Sequence, residues 1–309
     1  MISGIKRMIA ALYGAPILLL SLTALFWGGN AVAGRLAIGH ISPLLLTFLR
    51  WGLVLVVLWP LYGGQVRAAW PAMRPKLLNI GLMAGLGFTG FNVLFYYGAH
   101  YTSAINIGIL QGAIPVIVLA GAYITHGVKA TLLQMLGVAI TLIGVVVVAT
   151  RGEVRSILDL DLNRGDLAML AACVLYACYT VALRDRPKMP AAAFFTLLAL
   201  IAAATSLPLV LLEAATTGFI VPTMRGWLIT AYVAIFPSCL AQIFFLRGVD
   251  LIGPGRAGVF VNLVPVFAAA LGVGLIGEPF ALFHAVALML VVGGIWLAQR
   301  AAPPRPSGT

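Results

Sequence analysis

Charge is scarce in this chain. Only 9% of its 309 residues are Asp, Glu, Lys or Arg, and just eight are acidic, where a soluble domain carries about 25%. So few charges cannot clothe a water-facing surface of this size, which excludes an ordinary soluble enzyme or binding domain. Length alone would suggest about two soluble domains, an expectation that lapses once hydrocarbon is the outer solvent. Cysteine is scarcer still. Cys173, Cys178 and Cys239 are an odd set inside apolar runs with no metal-ligand spacing, so they read as small apolar helix residues rather than a disulfide framework. His40, His100, His126 and His284 are scattered and read as interfacial residues. No G-x-x-x-x-G-K-[ST] loop occurs, so direct ATP drive by this chain is not expected. No nucleophile–base pair or metal cluster stands out either, and the chain is read as not an enzyme, with no cofactor.

What the chain has in abundance is apolar length. It is 62% hydrophobic with a mean hydropathy of +1.08. A bilayer-crossing helix needs about 20 mostly apolar residues. The charge-free runs supply ten, expected near 10–34, 43–62, 77–98, 104–124, 131–150, 167–184, 190–212, 226–247, 256–276 and 281–299. Lys6 and Arg7 before an apolar stretch imitate a signal peptide, and Ala31-Val32-Ala33 imitates its cleavage site. The run from Met8 to Gly34 has no charge and far exceeds the usual apolar core of about 7–15 residues, so an uncleaved first span is expected.

The net charge of +11 does not mark a nucleic-acid partner, because the basic residues lie between apolar runs and form no basic and aromatic surface. They orient the chain instead. With the N-terminus cytoplasmic, thirteen Lys and Arg fall inside, against Arg35, Arg151, Arg155, Arg164 and Arg225 outside. The positive-inside rule therefore expects a multi-pass membrane protein with both termini cytoplasmic. Residues 1–9 and 300–309 would be cytoplasmic tails.

The chain also repeats itself. Trp27-Gly-Gly-Asn-Ala-Val-Ala-Gly-Arg35 aligns with Tyr176-Ala-Cys-Tyr-Thr-Val-Ala-Leu-Arg184 at an offset of 149. An offset of 150 pairs Asn92 with Gln242, Phe95 with Phe245, Gly108 with Gly258, Pro115 with Pro265, Gly127 with Gly277 and Gly144 with Gly294. Residues 10–150 and 167–299 then form two repeats of five helices each. Five is odd, so the second repeat enters the membrane upside down. Inverted repeats offer two related conformations, one open to each side, which is the basis of alternating access.

These residues resemble the drug/metabolite transporter superfamily, in its ten-helix type with two EamA repeats. The resemblance rests on the aromatic, Gly-rich first helix of each repeat around Trp27 and Tyr176, and on Pro43 followed seven residues later by Arg50. Pro115, Pro265 and Gly277-Glu278-Pro279 complete it. The first repeat departs from the pattern with Gly127-Val128-Lys129, so Glu278 is assigned no transport role. The resemblance implies an exporter of amino acids, metabolites or drugs in a bacterial inner (plasma) membrane. In detail the chain is similar to bacterial amino-acid exporters of the YddG kind, which handle aromatic and other neutral amino acids; relatives carry nucleotide sugars.

The candidate pocket residues are mostly uncharged. Gln111, Gly112 and Pro115 share one face of the fourth helix with Gly108, and Asn262 and Pro265 make the matching face of the ninth with Gly258. Asn92, Phe95 and Tyr96 form a stripe on the third helix that Gln242 and Phe245 answer on the eighth. Trp27 and Asn30, with Tyr176 and Tyr179, supply the equivalent faces of the first and sixth. Small and amide residues can equally be helix-packing glue, but their recurrence in both repeats favours a central pocket. Arg50, inside the second helix, is a possible contact for a substrate carboxylate; snorkelling or bonding to backbone carbonyls is the alternative.

No Asp, Glu or Lys falls near an expected midplane, so uncoupled transport or exchange is favoured over proton coupling. The pocket suits a zwitterionic or neutral solute with an apolar side chain, and suits a nucleotide sugar poorly for want of several cations. Gly98–Ser103, the loop 151–166 and the glycines near 253–258 are expected hinges. The fifth and tenth helices are expected to brace the bundle through Gly137, Gly144, Gly293 and Gly294. The expected partners are a small-molecule substrate and the lipid bilayer; a monomer and a homodimer both fit.

Overall fold

The computed structural model describes residues 13–127, 130–153, 163–216, 218 and 220–300. The tails 1–9 and 301–309, Lys129 and most of the loop 151–166 lie outside the described residues. Among those described, the structure is helical, with no strand. Ten helices are long and apolar enough to cross a membrane: α1 (Pro16–Leu36), α2 (Pro43–Ala68), α3 (Trp70–Gly98), α4 (Ala104–His126), α5 (Leu132–Ala149), α6 (Arg164–Asp185), α7 (Ala191–Thr216), α8 (Met224–Ile252), α9 (Arg256–Ile276) and α10 (Leu282–Arg300).

Local chemistry sets several boundaries. Pro16 and Pro43 open α1 and α2 in the first turn, where the missing N–H costs nothing. Ser103, Thr131, Asn163 and Thr223 cap the starts of α4, α5, α6 and α8 by accepting a backbone N–H, Thr131 in a reciprocal box with Gln134. Gly127 and Gly277 end α4 and α9 at φ +63° and +66°, a left-handed conformation that side chains resist. These two glycines stand 150 residues apart, so the repeat is written into the helix ends.

Several spans are longer than their apolar runs, with α7 running to Thr216 rather than 212 and α8 to Ile252 rather than 247. The α3 helix begins at Trp70 rather than 77, and α2 runs to Ala68 rather than 62. Charges end an apolar run without ending a helix. Arg67 lies 5.8 Å from the Trp59 ring, a cation covering an aromatic near the end of its span. Conversely, α1 starts at Pro16, later than the expected 10.

The helices pair across the two repeats. The main partners are α5 with α10, α2 with α7, α1 with α8 and α9, and α6 with α3 and α4. The α5–α10 crossing is glycine-mediated. A Cβ on Gly137 would lie 2.5 Å from the Gly294 carbonyl, and one on Gly294 would lie 2.6 Å from the Gly137 carbonyl. Gly144 likewise meets α10, whereas Gly293 faces open space and takes no part in the packing expected of it. The outer surface carries large apolar side chains, with Ile124, Leu132 and Leu282 at 79%, 70% and 81% exposure. A lipid-facing wall has this composition.

An even number of spans puts both described chain ends on one side of the bundle, here called the termini face. The opposite side is the far face.

Candidate functional site

A cavity of about 990 Å³, counting its open mouth, lies at the centre of the bundle between the two repeats. Four backbone irregularities surround it. In α3 and α8 the regular helix gives way to π-helical segments, Gly85–Gly90 and Ala234–Leu240. In α4 and α9 it breaks after Leu110 and after Val261. The paired irregularities match at offsets of about 150. Wide π turns in membrane helices commonly accompany functional sites, and broken helices at membrane depth occur where they face a cavity or protein. Gly87 and Phe88 from one π segment, and Pro237 and Ser238 from the other, line the cavity.

Its walls are aromatic. Trp51 stacks on Phe88 with centroids 4.7 Å apart, Phe88 meets Phe195 edge-on at 5.9 Å, and Phe91 lies 5.0 Å from Tyr176. Trp27 donates its indole N–H to the Pro237 carbonyl at 3.1 Å, which spans the two repeats and fixes that ring.

Arg50 sits in this wall, only 6% exposed. It lies about 10 Å along α2 from Pro43 at 1.5 Å per residue. Its Nε donates to Ser238 Oγ at 2.7 Å. Its Nη1 donates to Asn92 Oδ1 at 2.7 Å, Tyr96 Oη at 2.6 Å and Asn30 Oδ1 at 3.3 Å. Tyr96 in turn donates to Asn30 Oδ1 at 3.0 Å, and Asn92 donates to the Phe88 carbonyl at 2.6 Å. The arginine thus neither snorkels outward nor relies on backbone carbonyls. It is held by neutral side-chain oxygens from α1, α3 and α8.

Of the residues expected from sequence to form the pocket, Trp27, Asn30, Asn92, Gln111, Gly112, Pro115, Tyr176, Gln242, Asn262, Pro265 and Arg50 line this cavity. Phe95, Tyr96, Tyr179 and Phe245 do not. Phe95 and Tyr96 lie one turn nearer the far face, where Gly34 lets α1 close on them: a Cβ there would sit 3.6 and 3.4 Å from their rings. Tyr179 is buried behind Phe88, with centroids 5.1 Å apart, and Phe245 stands behind Trp27 at 5.5 Å. Trp51, Phe88, Phe91, Phe195, Ser238 and Ile295 line the cavity without having been expected. Phe88 and Ser238 stand 150 residues apart, so the repeat offset pairs two residues that the pattern of polar stripes left out. The tenth helix, expected only to brace, contributes Ile295 to the wall and Gln299, which accepts from Asn262 Nδ2 at 3.2 Å.

The far face is shut by two polar clusters. Glu278 accepts from the backbone N–H groups of Ala104 and Ile105 at 2.8 and 3.1 Å, and pairs with Arg35 at 3.5 Å. Arg35 also donates to the Ala99 carbonyl at 2.8 Å. Beside them, Asp166 accepts from Thr102 and from Asn106, whose Oδ1 lies 3.2 Å from His284 Nε2. Unlike the other three histidines, His284 is a buried seal residue rather than an interfacial one. Behind the clusters, Ala104–Leu110 of α4 packs on Leu263–Ile276 of α9, with Gly108 seated against Ala268 and Pro265. Toward the termini face the two helices part. Ala113–His126 turns to α6 and α5, Pro254–Val261 turns to α1 and α8, and Gly258 has open space around it.

Known proteins resemble the whole of this architecture. The EamA-like transporter family matches residues 14–150 and again 163–299. An uncharacterized transporter of Bacillus subtilis, YyaM, is 28% identical over 89% of this chain and 90% of its own. The uncharacterized inner membrane transporter YedA of Escherichia coli K12 is 25% identical over 94% and 91%. A protein of Salmonella typhimurium named a probable amino-acid metabolite efflux pump is 26% identical over 89% and 92%. One solved crystal structure superposes with a TM-score of 0.61 at 20% identity, covering 92% of this chain and 96% of its own, which bears on the fold alone.

Proposed function

The chain belongs to the EamA-like transporter family, and from that premise we propose that it exports small aromatic or neutral amino acids, or related metabolites, by alternating access. It is a multi-pass membrane transporter of the EamA, drug/metabolite kind. The observation that carries the finer reading is the central cavity itself. It is aromatic, bears amides from both repeats, holds one cation and is shut at the far face. A small solute with an apolar body suits a site with this lining. A nucleotide sugar would call for several cations, and Arg50 is the one charged side chain among the lining residues described.

In this reading the termini face is cytoplasmic, following the excess of Lys and Arg there, and the structure is the cytoplasm-open state. The cavity lining includes no carboxylate whose proton could be exchanged for substrate, which favours an uncoupled carrier or an exchanger. The test is uptake of radiolabelled amino acids into proteoliposomes holding the purified chain, with and without a pH gradient. Saturable, competable uptake that ignores the gradient is expected. Gradient-driven uptake would replace the uncoupled mechanism with proton coupling, and the absence of any uptake by folded protein would overturn the substrate class.

A further inference from the structure

The cavity is unbalanced in charge. Arg50 is nine-tenths buried, and every acceptor that holds it is a neutral oxygen: Ser238, Asn92, Tyr96 and Asn30. Among the described residues no carboxylate pairs with it, and its second terminal nitrogen, Nη2, donates to nothing. One residue on, the Trp51 indole N–H is fully buried in the same wall and also has no acceptor. Two donors of this wall are therefore unspent. The Oδ1 atoms of Asn30 and Asn92 already accept from Arg50, and that of Asn30 also from Tyr96. The acceptors left in the lining, such as the amide oxygens of Gln111 and Gln242, are neutral and offer an ammonium no counter-charge.

A buried guanidinium without a counter-charge is costly, and the charge that offsets it best is one that arrives with the ligand. A zwitterion brings a carboxylate but also an ammonium, leaves the site with a net positive charge, and finds no anionic partner for that ammonium. The geometry points to a monoanion as the preferred substrate: a carboxylate on an aromatic or aliphatic body, with a hydroxyl, oxo or acylated nitrogen where an amino acid has its ammonium. This rests on the reading of the cavity as the transport site and narrows its substrate from amino acids to their deaminated or N-acylated relatives. It also supplies a driving force without proton exchange. An inside-negative membrane potential drives a monoanion outward, whereas it does no work on a zwitterion.

The test uses three near-isosteric probes on the full chain in nanodiscs, followed by tryptophan fluorescence and by thermal stabilisation. They are 3-phenyllactate (carboxylate only), phenylalanine (carboxylate and ammonium) and phenylalaninamide (ammonium only). The expected order has 3-phenyllactate binding at least tenfold more tightly than phenylalanine, with phenylalaninamide weakest. Arg50→Lys should keep that order, and Arg50→Gln should erase the preference for 3-phenyllactate. If Arg50→Gln does not fold, the wild-type series decides alone. Phenylalanine binding as well as or better than 3-phenyllactate would overturn the inference and leave the amino-acid reading standing. Binding of none of the three by folded protein would overturn both.

Discussion

Arg50 illustrates how a charge survives at membrane depth. Among the described residues, three neutral side chains and a tyrosine hydroxyl accept from two of its nitrogens, Nε and Nη1. Each of those neighbours is a small cost in apolar packing that keeps the cation in place. Glu278 works differently, since it satisfies two backbone donors at the start of α4 while pairing with Arg35. Replacing it with alanine strands two buried N–H groups, each worth about 1–3 kcal/mol. We expect Glu278→Ala to lower the unfolding midpoint in detergent by several degrees. An unchanged midpoint would remove Glu278 from the seal. Gln111 and Asn262 face the cavity from equivalent breaks in α4 and α9. Gln111→Leu and Asn262→Leu should insert normally yet reduce transport at least several-fold, and wild-type flux in both would remove the amides from the site.

At the scale of single elements, glycine placement separates what is packed now from what is free to pack later. Gly108 seats on Ala268 and Pro265, while a Cβ on its counterpart Gly258 would meet nothing within 4 Å. If the repeats exchange roles, Gly258 comes to rest on Pro115 and Val118, the residues standing 150 before Pro265 and Ala268. Both Gly108→Leu and Gly258→Leu should therefore slow turnover. Only Gly108→Leu should destabilise the state described here, by roughly 1–3 kcal/mol of overpacking. Equal losses of stability would contradict the placement of the seam. At the α5–α10 crossing, Gly137→Leu should prevent folding, because its Cβ would strike the Gly294 carbonyl, whereas Gly293→Leu should be silent in a measurement of folded yield. Much of this was legible in the sequence. Ten spans, the repeat offset and the glycine crossing all follow from where charges, prolines and glycines recur. The π segments were not, since Gly85–Gly90 and Ala234–Leu240 read as ordinary apolar helix. They turn Phe88 and Ser238 into the wall in place of the stripe that ideal helical spacing had assigned to Phe95, Tyr96 and Phe245.

For the whole molecule, the two repeats have the same plan but unequal ends. The far face has an acidic turn at Glu278 that pins α4, and in the sequence its counterpart 150 residues earlier is Val128. Arg184, the equivalent of Arg35, has no matching acid at that position. The closed far face thus has polar support from Glu278 for which the first repeat carries no acid at the equivalent sequence position. Sequence alone recorded the departure at Val128 but not its consequence, because Glu278 acts on backbone groups 173 and 174 residues away.

Alternating access in this fold requires the α4–α9 seam at the far face to open. Ile105 and Gly272 face each other there, with the Ile105 Cγ1 atom 3.2 Å from where a Gly272 Cβ would stand. The most direct test is counterflow by the Ile105→Cys, Gly272→Cys pair in a background with Cys173, Cys178 and Cys239 replaced. Oxidation should abolish counterflow and reduction should restore it. Undiminished counterflow through the cross-linked protein would contradict alternating access at this seam.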